Sequence, residues 1–298
     1  MLRSFPRRRC ISSIAALLFV LIAPAHAESW SDVDLALTGY DNLTRAASAE
    51  DKRGDVAVAL AITGGHYFAL SGSDGVSLTI DARGEAYRRY TGLDVAAIGA
   101  GASYRRKLGV GRNVPWVLAS VHVARESYRD ALRDSDRLAV TTELGRRFTD
   151  ALELSAGSTL ERRLGRHDPE AEVPGYSARV FDLHGLRGFL RGSYALGEAL
   201  LLGGEVGVRR GFVESTAQQS LAIFTASDAL ADDPAFRDER LYAYRLRATT
   251  YFGALNASWA MSDKMSLNFS YADHRSRAAN RLSYDDRAIT LSLLYRYP

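Results

Sequence analysis

The sequence predicts an all-β fold, a single transmembrane antiparallel β-barrel of about twelve strands. Three observations carry that expectation. Apolar and polar residues alternate with period two from near residue 31 to the end of the chain. Short connections alternate with mostly longer, charged ones. The pattern also runs to the terminus, through Ile289, Leu291, Leu293, Tyr295 and Tyr297, where the last residues of a soluble domain usually fray.

The N-terminal residues stand apart from this pattern. Arg3, Arg7, Arg8 and Arg9 precede an apolar run, IAALLFVLI at 14–22, too short to span a bilayer. The small-x-small sequence Ala25-His26-Ala27 follows at once. Together these predict a secretory signal peptide over residues 1–27, cleaved after Ala27, and a barrel over 28–298. Without the first 27 residues the chain holds 34 basic and 35 acidic side chains, so the basic surplus belongs to the signal. No nucleic-acid partner is expected from such a balance. Cys10, the only cysteine, lies ahead of the apolar run, which leaves residues 28–298 without a disulfide or a cysteine metal site. No apolar run of about 18 residues occurs there, so no spanning helix is expected.

Taken in order, the alternating segments lie near 31–41, 55–69, 75–88, 93–107, 115–127, 136–147, 151–163, 177–194, 199–212, 240–260, 264–274 and 284–297. In the third, Val76, Leu78, Ile80, Ala82 and Ala86 share one face, and Ser77, Thr79, Asp81, Arg83, Glu85 and Tyr87 the other. The sixth sets Leu138, Val140, Thr142 and Leu144 against Arg137, Ala139, Thr141 and Glu143. The seventh sets Leu152, Leu154, Ala156, Ser158 and Leu160 against Glu153, Ser155, Gly157, Thr159 and Glu161. The eleventh sets Met265, Leu267, Phe269 and Tyr271 against Ser266, Asn268 and Ser270. The fourth, eighth and tenth change phase partway, which predicts bulges or parts standing beyond the membrane.

Short connections fall at 71–75, 108–114, 147–150, 196–198 and 261–263; those at 42–54, 128–135, 164–176, 213–239 and 275–283 are longer, with 89–92 the exception. Short turns at one rim and long loops at the other are the layout of outer-membrane barrels. An even strand number then places both termini at the short-turn, periplasmic rim.

Alternation alone does not say which face is wet. A soluble barrel of this size would enclose a lumen too wide for side chains to fill. The polar face mixes Gly, Ser and Ala with Arg, Asp and Glu, which suits a hydrated interior with charge pairs between strands. Tyr87, Tyr90, Tyr104, Trp116, Tyr128, Phe148, Tyr194, Phe212, Trp259, Tyr271, Tyr284, Tyr295 and Tyr297 fall near strand ends, as interfacial girdles would require. The apolar face is therefore expected outward.

In the final segment Thr290, Ser292 and Arg296 then point inward, with Leu294 off the pattern. This alternation, ending in Tyr295 and Tyr297, resembles the C-terminal assembly signal of Gram-negative outer-membrane proteins. The resemblance implies the barrel-assembly machinery as a partner; Pro298 departs from the usual terminal aromatic. In hydrocarbon an unpaired backbone group costs several kcal/mol, so the last strand must pair with the first, DVDLALTGYDN.

No catalytic residue, metal site or cofactor is expected. His66, His122, His167, His184 and His274 lack metal-ligand spacing. His122 and His184 fall in strands and are expected to face the lumen, but neither belongs to the H-x-S pair of the twelve-stranded outer-membrane phospholipase. Asp232-Asp233 and Asp285-Asp286 resemble acidic pairs of outer-membrane aspartyl proteases, yet lie in or beside loops, where solvated charge is expected. Arginine is the stronger signal. Arg83, Arg105, Arg191, Arg209, Arg245, Arg247 and Arg296 fall on or near inward faces. They form either an anion-selecting ring or pairs with Asp81, Glu85, Glu143, Glu153 and Glu205.

The 213–239 loop carries Leu221, Ile223, Phe224, Leu230 and Phe236, with a helical turn expected before Pro234. It either folds over the mouth or packs against neighbouring loops or lipopolysaccharide. The expected function is a narrow channel for small polar or anionic solutes, with outer-membrane lipid and lipopolysaccharide as surroundings. A non-conducting barrel filled by charge pairs is the alternative, and a membrane-embedded hydrolase a third.

Overall fold

The computed structural model describes residues 27–167, 174–239 and 241–297. All of the expected signal segment except Ala27 lies outside the described residues. Twelve strands form the barrel: β1 (Ala27–Tyr40), β2 (Asp55–Ala69), β3 (Asp74–Tyr87), β4 (Val95–Lys107), β5 (Trp116–Tyr128), β6 (Ser135–Arg147), β7 (Leu152–Gly165), β8 (Leu183–Leu196), β9 (Leu200–Ala217), β11 (Tyr242–Ser262), β12 (Met265–Ala278) and β13 (Ser283–Tyr297). A short β10 (Ser227–Asp232) stands outside the wall. Each barrel strand runs antiparallel to its neighbours. β13 closes on β1 in continuous register from Ala288 opposite Tyr40 to Tyr297 opposite Ser31. The C-terminal strand pattern exists because this seam would otherwise leave two unpaired edges in lipid.

The apolar face is outward. Every barrel strand exposes large hydrophobics, among them Leu35, Leu60, Ile80, Ile98, Val123, Val140, Leu160, Leu190, Val206, Leu255, Phe269 and Leu291. Ile80 is 70% exposed at the middle of β3. Such a continuous band is tolerable only against hydrocarbon. In β13, Thr290 bonds inward to Thr38 at 3.0 Å, and Leu294 lies across from Asp34 on the inner face. No register shift interrupts β4 or β8, so the bulges expected there are absent; their irregular pattern comes from alanine and glycine on both faces.

The aromatic girdle forms only in part. Phe148, Tyr194, Trp259, Tyr295 and Tyr297 are exposed near the short-turn rim, whereas Tyr67 lies on the inner face beside Gly75. Tyr90, Trp116 and Tyr284 are buried instead. Tyr87 and Tyr128 share the inner face with Glu85 and Glu126. At the long-loop rim, strand ends pack against folded loops, which draws rings inward.

Three of the connections at that rim, 88–94, 129–134 and 279–282, are tight turns around a short 3-10 segment. The contrast between rims therefore rests on 41–54, 166–182 and 218–241. Aspartates pin the turns: Asp94, Asp134 and Asp182 accept the backbone N–H of Tyr87, Tyr128 and Gly165 at 2.7–2.8 Å. The backbone N–H groups of Arg129 and Arg166 donate to the carbonyls of Asp94 and Asp134, chaining each turn to the next.

The expected 213–239 loop is mostly structured. β9 and β11 stay paired as far as Ala217 opposite Tyr242. Their outer partners stop earlier, β8 at Gly185 opposite Gly211 and β12 at Ala278 opposite Ala248. Helix α1 (Leu221–Ala226), N-capped by Ser220, then leads into β10, which takes the edge of β11 that β12 has left. The helical turn thus ends eight residues before Pro234, because β10 intervenes.

This extension touches every other connection of the long-loop rim. Thr216 N–H donates to the Thr44 carbonyl (2.7 Å), Leu230 N–H to that of Ser177 (2.9 Å), and Asn280 Nδ2 to that of Ala222 (3.1 Å). Phe236 packs on Tyr90, with ring centroids 4.7 Å apart, and Arg133 bonds Asp233. A segment in contact with loops all round a closed ring must cross that ring. It caps the mouth and packs on its neighbours at once.

Outward Ile80→Arg is expected to lower the stability of the refolded barrel by about 2–4 kcal/mol, measured by denaturant titration in lipid, while inward Ala61→Ser stays within about 0.5 kcal/mol. Equal costs at the two positions would reverse the assignment of faces.

The lumen and its cap as the candidate functional site

Strand register assigns the inner face. On β1, β2, β12 and β13 it is mostly small or uncharged: Ala36, Thr38, Ala57, Ala59, Ser270, Ala272, Thr290 and Ser292. From β3 to β9 it is densely charged. Asp81, Arg83 and Glu85 on β3, His122 and Glu126 on β5, and Arg137 and Glu143 on β6 all point inward. So do Glu153, Glu161 and Arg163 on β7, Arg187 and Arg191 on β8, and Glu205 and Arg209 on β9. The lumen has one bland wall and one charged wall.

Nearly every charge on that wall is paired. Arg191 bonds Glu205 (Nη2–Oε2 2.7 Å) and approaches Glu143 at 3.4 Å. Arg209 bonds Glu161 at 3.0 Å, Arg105 lies 4.0 Å from Glu153, and Arg83 bonds Glu85. At the seam Arg296 grips Asp32 through two 2.8 Å bonds. Several pairs reach over an intervening strand, and glycine makes the room. His122 on β5 meets Asp81 on β3 at 2.8 Å above Gly99 of β4, where a Cβ would lie within 2.8 Å of both side chains. Gly185 of β8 leaves the same kind of space for Arg209 to reach Glu161. Gly99 is thus small so that the charge pair can form above it.

Two rings also point inward. Phe189 and Phe252 lie across from Gly157 and Gly207 on the adjacent strands. Arg187 sits over Phe252 at 4.2 Å and bonds Glu205. Nothing in the local pattern marked Phe189, Phe252 or Arg187 as lumenal; only the register from β7 to β11 shows it.

The lumen divides into two regimes along its axis. Towards the short-turn rim, Arg105 and Arg191 face inward yet keep 50% and 49% of their side-chain surface exposed, so water reaches them. A cavity of about 190 Å³ there is lined by Arg105, Trp116, Glu143, Glu153, Arg191 and Ser193. Under the cap, Arg133 keeps only 6% and Asp233 none. Arg133 donates to Asp233 at 2.6 Å and to Glu214 at 3.3 Å, while Arg163 donates to Glu214 at 3.0 Å. Thr216 Oγ1 donates to the same Asp233 oxygen at 2.7 Å. Burial pushes the Glu214 carboxyl up, but Arg163, Arg133 and Arg45 outweigh it and hold it down at about 2. Burial likewise disfavours the Arg133 cation, and Asp233 and Glu214 more than offset it.

Of the residues expected to line the lumen, Arg83, Arg105, Arg191, Arg209, Asp81, Glu85, Glu143, Glu153 and Glu205 lie on the inner face by register. Arg245 and Arg247 do not, because β11 at that height is part of the cap. Arg245 bonds Asp228 at 2.7 Å and the Arg179 carbonyl at 3.0 Å, and Arg247 is exposed beside Phe212. His184 is exposed on the outer face, edge-on to Phe212 at 4.8 Å, and cannot serve the lumen. Asp233, expected as solvated charge, is fully buried in the cap network. Asp285 pairs with Lys52 at 2.9 Å, and Asp286 with His274 at 3.1 Å. Among the described residues no cluster of three or more His, Cys, Asp or Glu side chains is placed to hold a metal ion.

No protein-family model matches the chain, and no curated protein does. Solved structures do. An outer-membrane channel from Pseudomonas putida F1 superposes with a TM-score of 0.57 at 10% identity, over 93% of this chain and 97% of that one. The KdgM porin in complex with disordered oligogalacturonate gives 0.46 at 9% identity, over 90% and 99%. The NanC porin gives 0.46 at 9% identity, over 88% and 98%. The fold is that of the outer-membrane β-barrels.

The Glu214 carboxyl titrates near 4.3 when unfolded and near 2 in place, so its contribution is complete above about pH 4.3 and is lost as pH falls towards 2. Hydrogen-exchange protection of 227–246, corrected for intrinsic rates, should fall across that window. Glu214→Gln should show reduced protection already at pH 7 and little further change.

Proposed function

We infer that the protein is a narrow outer-membrane channel for small polar solutes, anions included. The observation that carries this is the half-exposed Arg105 and Arg191 in the short-rim half of the lumen, with a mostly small or uncharged opposite wall. A polar solute moving along such a lumen exchanges water for fixed charges and hydroxyls and meets mostly paired charges, with Asp34 on β1 an exception. Because the arginines are paired, selectivity between small anions and cations is weak. Export with a cleaved signal over 1–27, assembly through Tyr295 and Tyr297, and both termini in the periplasm belong to the same proposal. The long-loop rim then faces outward, among lipopolysaccharide.

One observation favours a second reading. The cap buries Arg133, Asp233 and Thr216 across the outer mouth, as a non-conducting barrel would. Conductance decides between them. Refolded protein in a planar bilayer should give small discrete current steps, and deleting 217–235 should raise the step size roughly twofold or more. Glu143→Gln combined with Glu153→Gln should shift permeability towards anions by about twofold. Silence from both the intact and the cap-deleted protein would establish the non-conducting barrel.

A further inference from the structure

Arginines on the outer face near the long-loop rim fall into two groups. Several have an acidic partner: Arg125 with Asp136 (2.9 Å), Arg129 with Asp94 (3.3 Å), Arg275 with Asp273 (2.9 Å), and Arg287 with Asp273 (3.1 Å). Between β7 and β12 four do not. Arg162, Arg210, Arg247 and Arg277 are all exposed, and among the described residues none has a carboxylate within ion-pair distance. The register makes them one patch. Arg162 lies across from His184, Arg210 from Thr249, Thr249 from Arg277, and Phe212 from Arg247. With strands about 4.8 Å apart, the patch spans roughly 19 Å along the rim.

Its position identifies its occupant. Leu160, Leu186, Val208 and Tyr251, exposed members of the apolar band, lie one outward step below Arg162, His184, Arg210 and Thr249. A ligand held here touches hydrocarbon and four unopposed guanidinium groups together. Guanidinium suits phosphate through paired N–H donors. Four such groups over this width match several phosphates on one headgroup better than a single one. We propose that this sector binds a multiply phosphorylated glycolipid of the surrounding leaflet, with acyl chains against Leu186 and Val208 and phosphates on Arg162, Arg210, Arg247 and Arg277. The site rests on the membrane orientation proposed above, with the long-loop rim outward, but not on conduction.

The test uses the full barrel in mixed micelles with bisphosphorylated lipid A as probe. R162Q/R210Q and R247Q/R277Q should each weaken binding, and the four substitutions together by roughly tenfold or more. R275Q/R287Q, at arginines that already have partners, should stay within about twofold. Heat-modifiable gel mobility checks that each variant is folded; if the fourfold variant fails, the two double variants carry the comparison. Undiminished binding, equal loss in R275Q/R287Q, or equal competition by inorganic phosphate or phosphatidylglycerol overturns the proposal. Single-channel current of the same variants should be unchanged, so failure of the channel assignment is read separately.

Discussion

Everything in this structure follows from the need to pair each backbone N–H and C=O within the sheet when the surroundings are hydrocarbon. An open edge in lipid leaves a row of donors and acceptors without partners, each costing several kcal/mol. The register from β13 to β1 removes the last such edge. Closure then fixes the side chains. With period two there are only two faces, so an apolar outer face forces polarity inward, and twelve strands enclose more volume than small residues fill. Lumen charge is a consequence of the seam as much as of any function.

A lumen this charged needs internal neutralisation. Neighbouring strands provide part of it, as in Arg191 with Glu205. Where the partner lies two strands away, the strand between must be bare. Gly99 and Gly185 are bare at those points, and so a pattern that reads as a weak strand is a spacing device. The same reasoning explains the irregular alternation of β4. Its pairing is unbroken, and its glycines serve side chains from the strands on either side.

Local pattern therefore revealed the wall and concealed the mouth. Strand number, outward face and the inward arginines up to Arg209 were legible because period two is a local signal. Leu294 was legible even as an exception. The cap was not. The residues from 213 to 217 resemble a loop until it is known that β9 and β11 outlast β8 and β12, which is a fact about strand lengths on four different elements. Arg245 and Arg247 were misplaced for that reason, His184 because it shares the outward face of Leu186 and Leu190, and Asp233 looked solvated because its partner Arg133 lies a hundred residues away. Tyr90 and Tyr284 sit at strand ends as girdle residues do, yet pack on the cap and neighbouring loops instead.

The cap and the lumen use the same residue types for opposite ends. In the lumen, arginines such as Arg105 and Arg191 remain half in water, where an exposed ion pair contributes little to stability and leaves charge within reach of solute. Beneath the cap, Arg133, Asp233 and Glu214 are withdrawn from solvent, and a buried pair costs about as much to desolvate as it returns in attraction. Its value lies in position. Removing one member leaves the others charged and unpaired, so the β9–β11 extension has one favourable seat: Glu214 between Arg133 and Arg163, Thr216 on Asp233. Apolar contacts at Val213, Leu230, Tyr244 and Leu246 supply the burial that holds the extension down. The ion pairs determine where it sits, and so determine the shape of the mouth.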